Sequence, residues 1–165
     1  ASLTTIATPH RGAQLANIII GKLTNWRLIR PAHQLTYRLA LRMGDTAPNP
    51  VYAGLQLTPE YMEGFNARTP NKAGVYYQSF CGVISQAHPG LLQRIKYDEL
   101  YQAGGPHDGT VAVASARWGN FRGTVGQSHQ YGVSHFEIVG QLQHTCFDAP
   151  AFYRSILHDL RKQGY

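Results

Sequence analysis

Three short runs rich in β-branched and aromatic residues constrain this chain most: SLTTIAT at 2–8, GVYYQSFCGV at 74–83 and FRGTV at 121–125. Runs of this composition suit strands. Between them lie long stretches with helix punctuation, not two-residue hairpin turns. Strands that alternate with helices predict an α/β layered sheet with mostly parallel strands, because a parallel return needs a long crossover. No repeat and no low-complexity tract interrupts the alternation.

The helix signals are local. PHRGAQLANIII (9–20) leaves the first strand and becomes helical, with Gly12 permitting a tight entry. LTPEYMEGFNAR (57–68) starts a helix: Thr58 can cap it, Pro59 suits the first turn, and Glu60 favours the positive end of the dipole. Near the end, Asp148 reads as a cap, Pro150 fits the first turn, Phe152, Ile156 and Leu160 recur every four residues, and Gly164 lies past the helix. DTAPNPVYAGL (45–55) reads as a loop by its prolines, and 85–105 reads as loop-rich.

At 165 residues, 43% hydrophobic and 15% charged, the chain is one domain or part of one and can bury a core. Its apolar stretches are too short to span a bilayer. No signal peptide is visible at Ala1, and the first residues already read as a strand, so the true start is expected upstream. Cys81 and Cys146 form neither a disulfide framework nor a zinc pattern and are expected as buried free thiols.

The net charge of +6 is unevenly placed. The first 44 residues hold Arg11, Lys22, Arg27, Arg30, Arg38 and Arg42 and no acid; the remainder is balanced. Such a segment favours an anionic surface or an acidic partner. It lacks the basic tract with interleaved aromatics that nucleic-acid binding calls for. Within it, a helix predicted over 35–43 puts Leu35, Leu39 and Met43 on one stripe and Arg38 with Arg42 on another. That helix either packs in the core with its arginines solvated, or meets lipid or a partner protein.

GGPHDGTVAVASARWG (104–119) places Asp108 at a turn tip before an apolar run. Asp-Gly is an ordinary turn dipeptide, so a capped turn is one reading. The other is a carboxylate held for a partner. In α/β sheets reactive groups come from loops at the carboxyl ends of strands. Asp108 lies in the loop after the second strand and His135 in the loop after the third, so parallel neighbours would bring both to one sheet edge. An Asp that orients a His is two-thirds of a nucleophilic triad. The order, with the acid before the base, is that of α/β-hydrolases. No G-x-S-x-G occurs, and neither Ser85 nor Ser128 has glycines at the required offsets. His129, His135 and His144 match no zinc spacing. His10 and Arg11 are expected to fasten a loop, and Trp118 and Phe121 to lie in the core.

SLTTIATPHRGAQLAN, LTPEYMEGFN, GVYYQSF, DGTVAVASARWGNFRGT and GVSHFEIV resemble, in order and over nearly the whole chain, successive blocks of a lipase-like α/β-hydrolase family that includes bacterial triacylglycerol lipases. The resemblance implies that Asp108 is the triad acid and His135 the triad base. His107 stands where the family usually has Asn. Glu137 stands where some bacterial relatives have an Asp that helps bind calcium; no second matching acid is evident, so no metal and no cofactor is expected. The family's nucleophile elbow and oxyanion loop precede the strand that opens this chain. The chain therefore resembles the C-terminal portion of an α/β-hydrolase fold, a single partial domain over 1–165 with a helical lid-like insertion over 23–57.

Two functions from different classes follow. One is the acid- and base-bearing part of a serine carboxylic ester hydrolase acting on lipid-like esters, completed by an N-terminal half joined covalently or supplied as a separate chain. The other is a non-catalytic lipase-fold subunit of a larger assembly. An anionic membrane surface is a further expected partner, and intracellular, mitochondrial and membrane-associated locations are all compatible with these readings.

Overall fold

The computed structural model describes residues 1–22, 34, 37, 38, 40–88, 91–126, 130–142 and 147–165. In chain order the elements are β1 (Ser2–Ile6), α1 (Gln14–Lys22), α2 (Pro50–Gln56), α3 (Pro59–Arg68), β2 (Tyr76–Gly82), α4 (Leu91–Gly104), α5 (Val113–Ala116), β3 (Asn120–Val125), α6 (His135–Ile138) and α7 (Ala149–Lys162). The strands form one parallel sheet in the order β1-β2-β3. Ser2 pairs with Tyr76 and Ile6 with Phe80; Gln78 pairs with Asn120 and Gly82 with Val125, with a register shift at Ser79/Phe80.

Alternation along β2 sends successive side chains to opposite faces of the sheet. On one face Phe80 meets Phe152 of α7 edge-on at 5.3 Å, beside a cluster of Ala7, Val133 and Ile138. On the other, Cys81 packs with Val111 and Ala116, and Phe121 leans on that cluster. Helical segments thus cover both faces, as parallel sheets require.

The expected caps are in place. Thr58 accepts the amide of Tyr61 at 3.3 Å and Asp148 that of Ala151 at 2.8 Å, with Pro59 and Pro150 in the first turns. Ile156 and Leu160 are buried and Phe152 is half-buried, as the spacing by four requires. Gly12 has φ +77°, and a Cβ there would collide with the Thr58–Pro59 backbone, so only glycine lets the first loop pass under α3.

Two expectations differ. Residues 45–55, read as a loop, contain most of α2: Asn49 caps it by accepting the Tyr52 amide at 3.0 Å, and Pro50 occupies the first turn, where a missing N–H costs nothing. Residues 85–105, read as loop-rich, contain the fourteen-residue α4. The first strand is an edge of this sheet, and Leu3 is 47% exposed. Of the 35–43 helix, 37, 38 and 40–42 are helical; Leu35 and Leu39, like Cys146, Ser128, His129 and His144, lie outside the described residues. Cys81 is a buried free thiol, and burial followed by the nearby Asp108 charge pushes its pKa far up.

Candidate acid–base site

The end of β2 explains how two loops distant in sequence meet. Beyond Gly82 the strand continues as a short hub. Val83 donates to Val125 O of β3 at 2.9 Å and accepts from Val133 N at 2.8 Å. Ile84 N donates to His107 O at 3.0 Å, and Ser85 N to Tyr131 O at 3.0 Å. One extended segment thus holds the loop of Asp108 and the loop of His135. A final backbone bond, His135 N to Asp108 O at 2.9 Å, joins them directly.

This approach leaves no room for side chains at the crossing. A Cβ on Gly82 would meet Val133 O, and one on Gly132, at φ +80°, would meet Val83 O. We expect Gly132→Ala to cost at least about 2 kcal/mol, combining a left-handed backbone with a backbone collision. A denaturation midpoint within error of the parent would contradict this geometry.

Asp108 is fully buried. Its own amide bonds Val111 O at 3.1 Å, and its Oδ1 accepts from Thr110 N at 2.9 Å and Val111 N at 2.7 Å. Gly109, at φ +92°, supplies the left-handed residue that closes the turn. With Oδ1 occupied by two amides, Oδ2 reaches His135 Nδ1 at 2.9 Å. The turn therefore both caps itself and directs a carboxylate, so the two sequence readings of Asp108 describe one arrangement.

His135 opens the short helix α6, and its side chain is 24% exposed. The bond to Asp108 raises its pKa above the ordinary 6.5; burial opposes this and the Asp108 charge adds to it. With Nδ1–H directed at the carboxylate, neutral His135 carries its free lone pair on Nε2, the arrangement a general base needs.

Some of the supporting residues were not read from the sequence. Glu137 is 2% exposed; its Oε2 accepts Ser134 N at 2.6 Å and lies 3.2 Å from His88 Nε2, also buried. This fixes the chain just before His135. The S-x-x-E spacing of Ser134 and Glu137 is a capping-box signature that could have revealed it; nothing local announces His88. Among the described residues no cluster of His, Cys, Asp or Glu could hold a metal ion.

His10 and Arg11 fasten their loop as expected. The His10 ring stacks on Trp118 at 4.9 Å and bonds Thr5 Oγ1 at 2.9 Å. Arg11 N donates to Ser115 Oγ at 3.1 Å, and its guanidinium donates to the carbonyls of Ala114 and Arg117. The loop after β1 is thereby tied to the segment following the acid turn. Trp118 and Phe121 are half-buried; Phe121 leans on the Cys81 cluster, whereas Trp118 packs against His10.

No protein-family model matches the chain. It is 29% identical over 175 residues to triacylglycerol lipase 2 of Saccharomyces cerevisiae, covering 99% of this chain and 49% of that one. The chain thus spans about half the length of the curated relative it matches. A Bacillus licheniformis lipase in its propeptide form superposes with a TM-score of 0.51 at 22% identity, over 92% of this chain and 29% of that one. The mature form of the same lipase gives 0.49 at 19% identity, over 85% and 49%. With the propeptide form the likeness is one of fold.

Proposed function

From a partial α/β-hydrolase fold, lipase-like in sequence and architecture, we propose that this chain supplies the acid and base of a serine carboxylic ester hydrolase acting on lipid-like esters. The observation that carries the reading is the buried Asp108 bonded to a partly exposed His135 where two loops converge at the carboxyl end of β2. The yeast relative's description as a triacylglycerol lipase supports the substrate class.

In this reading His135 Nε2 takes the proton of a serine hydroxyl supplied by residues outside these 165. The serine oxygen attacks the ester carbonyl, and Asp108 stabilises the imidazolium so formed. The same proton then passes to the departing alkoxide. Water repeats the sequence on the acyl-enzyme, returning the acid product and the free serine. The oxyanion donors also come from the N-terminal half, joined covalently or as a separate chain.

The test is turnover of short- and long-chain p-nitrophenyl esters by the intact protein. Steady hydrolysis with an acid limb set by His135 supports the proposal, and absence of turnover at every chain length overturns it in favour of a non-catalytic lipase-fold subunit.

The lid-like role of 23–57 belongs to the same proposal. Its described part exposes Met43, at 80%, along with Leu41, Val51, Tyr52 and Leu55, and also exposes Arg38 and Arg42. Apolar side chains next to basic heads suit the plane between acyl chains and anionic head groups. Each basic group contributes about 1 kcal/mol near an anionic surface, and screening at high salt removes it. Vesicles containing anionic lipid are therefore expected to bind more tightly than neutral ones, less so as salt rises. Arg38→Gln with Arg42→Gln reduces that preference while hydrolysis of a small soluble ester stays nearly unchanged. Equal co-sedimentation with neutral and anionic vesicles at low salt would end the membrane part of the proposal. A variant that instead loses its N-terminal half would place the charges at an internal interface.

A further inference from the structure

The acid turn rests on a second histidine, at the position where the sequence departs from its lipase-like pattern. His107 is 2% exposed. Its Nε2 lies 3.0 Å from the carbonyl oxygen of Tyr97 on α4, and its Nδ1 accepts the amide of Gly109 at 3.0 Å. A carbonyl only accepts and an amide N–H only donates. The two contacts together therefore demand one state: the neutral ring with its proton on Nε2.

We propose that His107 is a positioning residue for Asp108, clamping the acid turn to α4, and that it does so only as this neutral tautomer. The proposal deepens the hydrolase reading and takes its catalytic meaning from it.

The turn uses its amides sparingly. Thr110 N and Val111 N hold Asp108 Oδ1, and His107 takes the Gly109 amide between them and the carboxylate's own residue. The amides of Gly109, Thr110 and Val111 are thus all committed, and Oδ2 is left for His135. At the other end, the Tyr97 ring lies 4.8 Å from His107 and stacks with Tyr101, so the clamp is anchored on a helix and not on another loop. Protonating Nδ1 would set an N–H against the Gly109 N–H. That loses the bond and frees the residue following Asp108.

Burial lowers the pKa of His107, although the Tyr97 carbonyl and the Asp108 charge pull the other way. Asp108, on its own turn, is the charged group that acts on it, the Tyr97 ring of α4 lies against it, and His135 and Cys81 lie near that same carboxylate. Burial pushes the Tyr97 phenol and the Cys81 thiol upward, away from the range in which histidines titrate. His107 and His135 are thus expected to move apart, one below 6.5 and one above it.

An Asn at 107 would accept the same amide, since its side-chain oxygen bonds an N–H two residues on, but it has no proton to gain. This predicts a difference in acid sensitivity. The histidine clamp opens as pH falls through its lowered midpoint, whereas an asparagine clamp does not.

The experiment is NMR of the intact protein with nitrogen-15-labelled histidine, run with His107→Ala and His107→Asn. In the parent, His107 is expected with Nδ1 unprotonated and Nε2 protonated, remaining neutral where His135 is already charged. His107→Ala is expected to lower the His135 midpoint by about one pH unit, the scale of one lost hydrogen bond. His107→Asn is expected to restore it and to preserve the Asp108-bonded His135 Nδ1–H signal to lower pH than in the parent. If the alanine variant does not fold, the parent's tautomer and the asparagine variant's low-pH signal still decide. A proton on Nδ1 in the parent, or an asparagine variant that loses the signal at the same pH as the parent, overturns the proposal. The spectra do not depend on turnover. A protein that shows every expected signal yet hydrolyses no ester keeps the clamp and loses the hydrolase reading.

Discussion

Asp108→Asn and His135→Ala are each expected to lower ester turnover of the intact protein by about three to four orders of magnitude. The two losses have different origins. Alanine at 135 removes the proton acceptor. Asparagine at 108 leaves an acceptor and a donor where His135 Nδ1 meets only a carboxylate oxygen, at 2.9 Å, so the ring can turn or take the wrong tautomer. The neutral substitute also cannot stabilise an imidazolium.

The pH profile separates these effects. His135 must be neutral to act as a base. Because its folded pKa is raised, the acid limb of kcat/KM lies above 6.5 in the parent. The Asn variant loses both contributions of Asp108 and keeps the burial that opposes them, so its residual activity has an acid limb at lower pH. The same raised pKa fixes the sign for stability. The charged pair contributes fully below the unfolded value near 6.5, and the contribution fades as pH rises through the raised midpoint. Full activity in either variant would remove that residue from the mechanism.

The second large effect concerns these 165 residues expressed by themselves. They contain no G-x-S-x-G, and loss of the nucleophile from a triad enzyme costs about six orders of magnitude in turnover. We expect no measurable esterase activity and no labelling by a fluorophosphonate probe. With the N-terminal half restored, the probe should label one serine, and peptide mapping should place it outside these residues. A label on Ser85, Ser115, Ser134 or any other serine of this chain would sink the proposal. Ser115 and Ser134 are buried, and Ser115 Oγ already donates to Gly12 O at 2.6 Å, so neither suits an attacking group.

Punctuation near a chain's own helix or strand was legible because it acts over a few residues. Thr58-Pro59 and Asp148-Pro150 declare helix starts through donors that the first turn leaves over, and the caps form where the residues stand. The same chemistry was present at Asn49-Pro50 and passed for a loop, because a proline after a polar residue ends one element as readily as it begins another. In α4, Leu100 is buried, and the polar residues around it, Asp98, Glu99 and Gln102, interrupt the apolar pattern that would have announced a helix.

The sequence by itself determined that strands and helices alternate, that the strands run parallel, and that a carboxylate and an imidazole stand on loops after successive strands. Each of these depends on local composition or on chain order. Only the tertiary structure decided that the two groups touch. That depends on residues 83–85 bonding both loops at once, on Gly82 and Gly132 letting backbones pass within contact, and on Ile84 N finding His107 O. It also decided the contact of His107 with Tyr97 and the burial of His88 against Glu137, partners 10 and 49 residues apart. Hydrogen-bond donors and acceptors are fixed by residue type, but which of them meet is set by packing, and packing is a property of the whole fold.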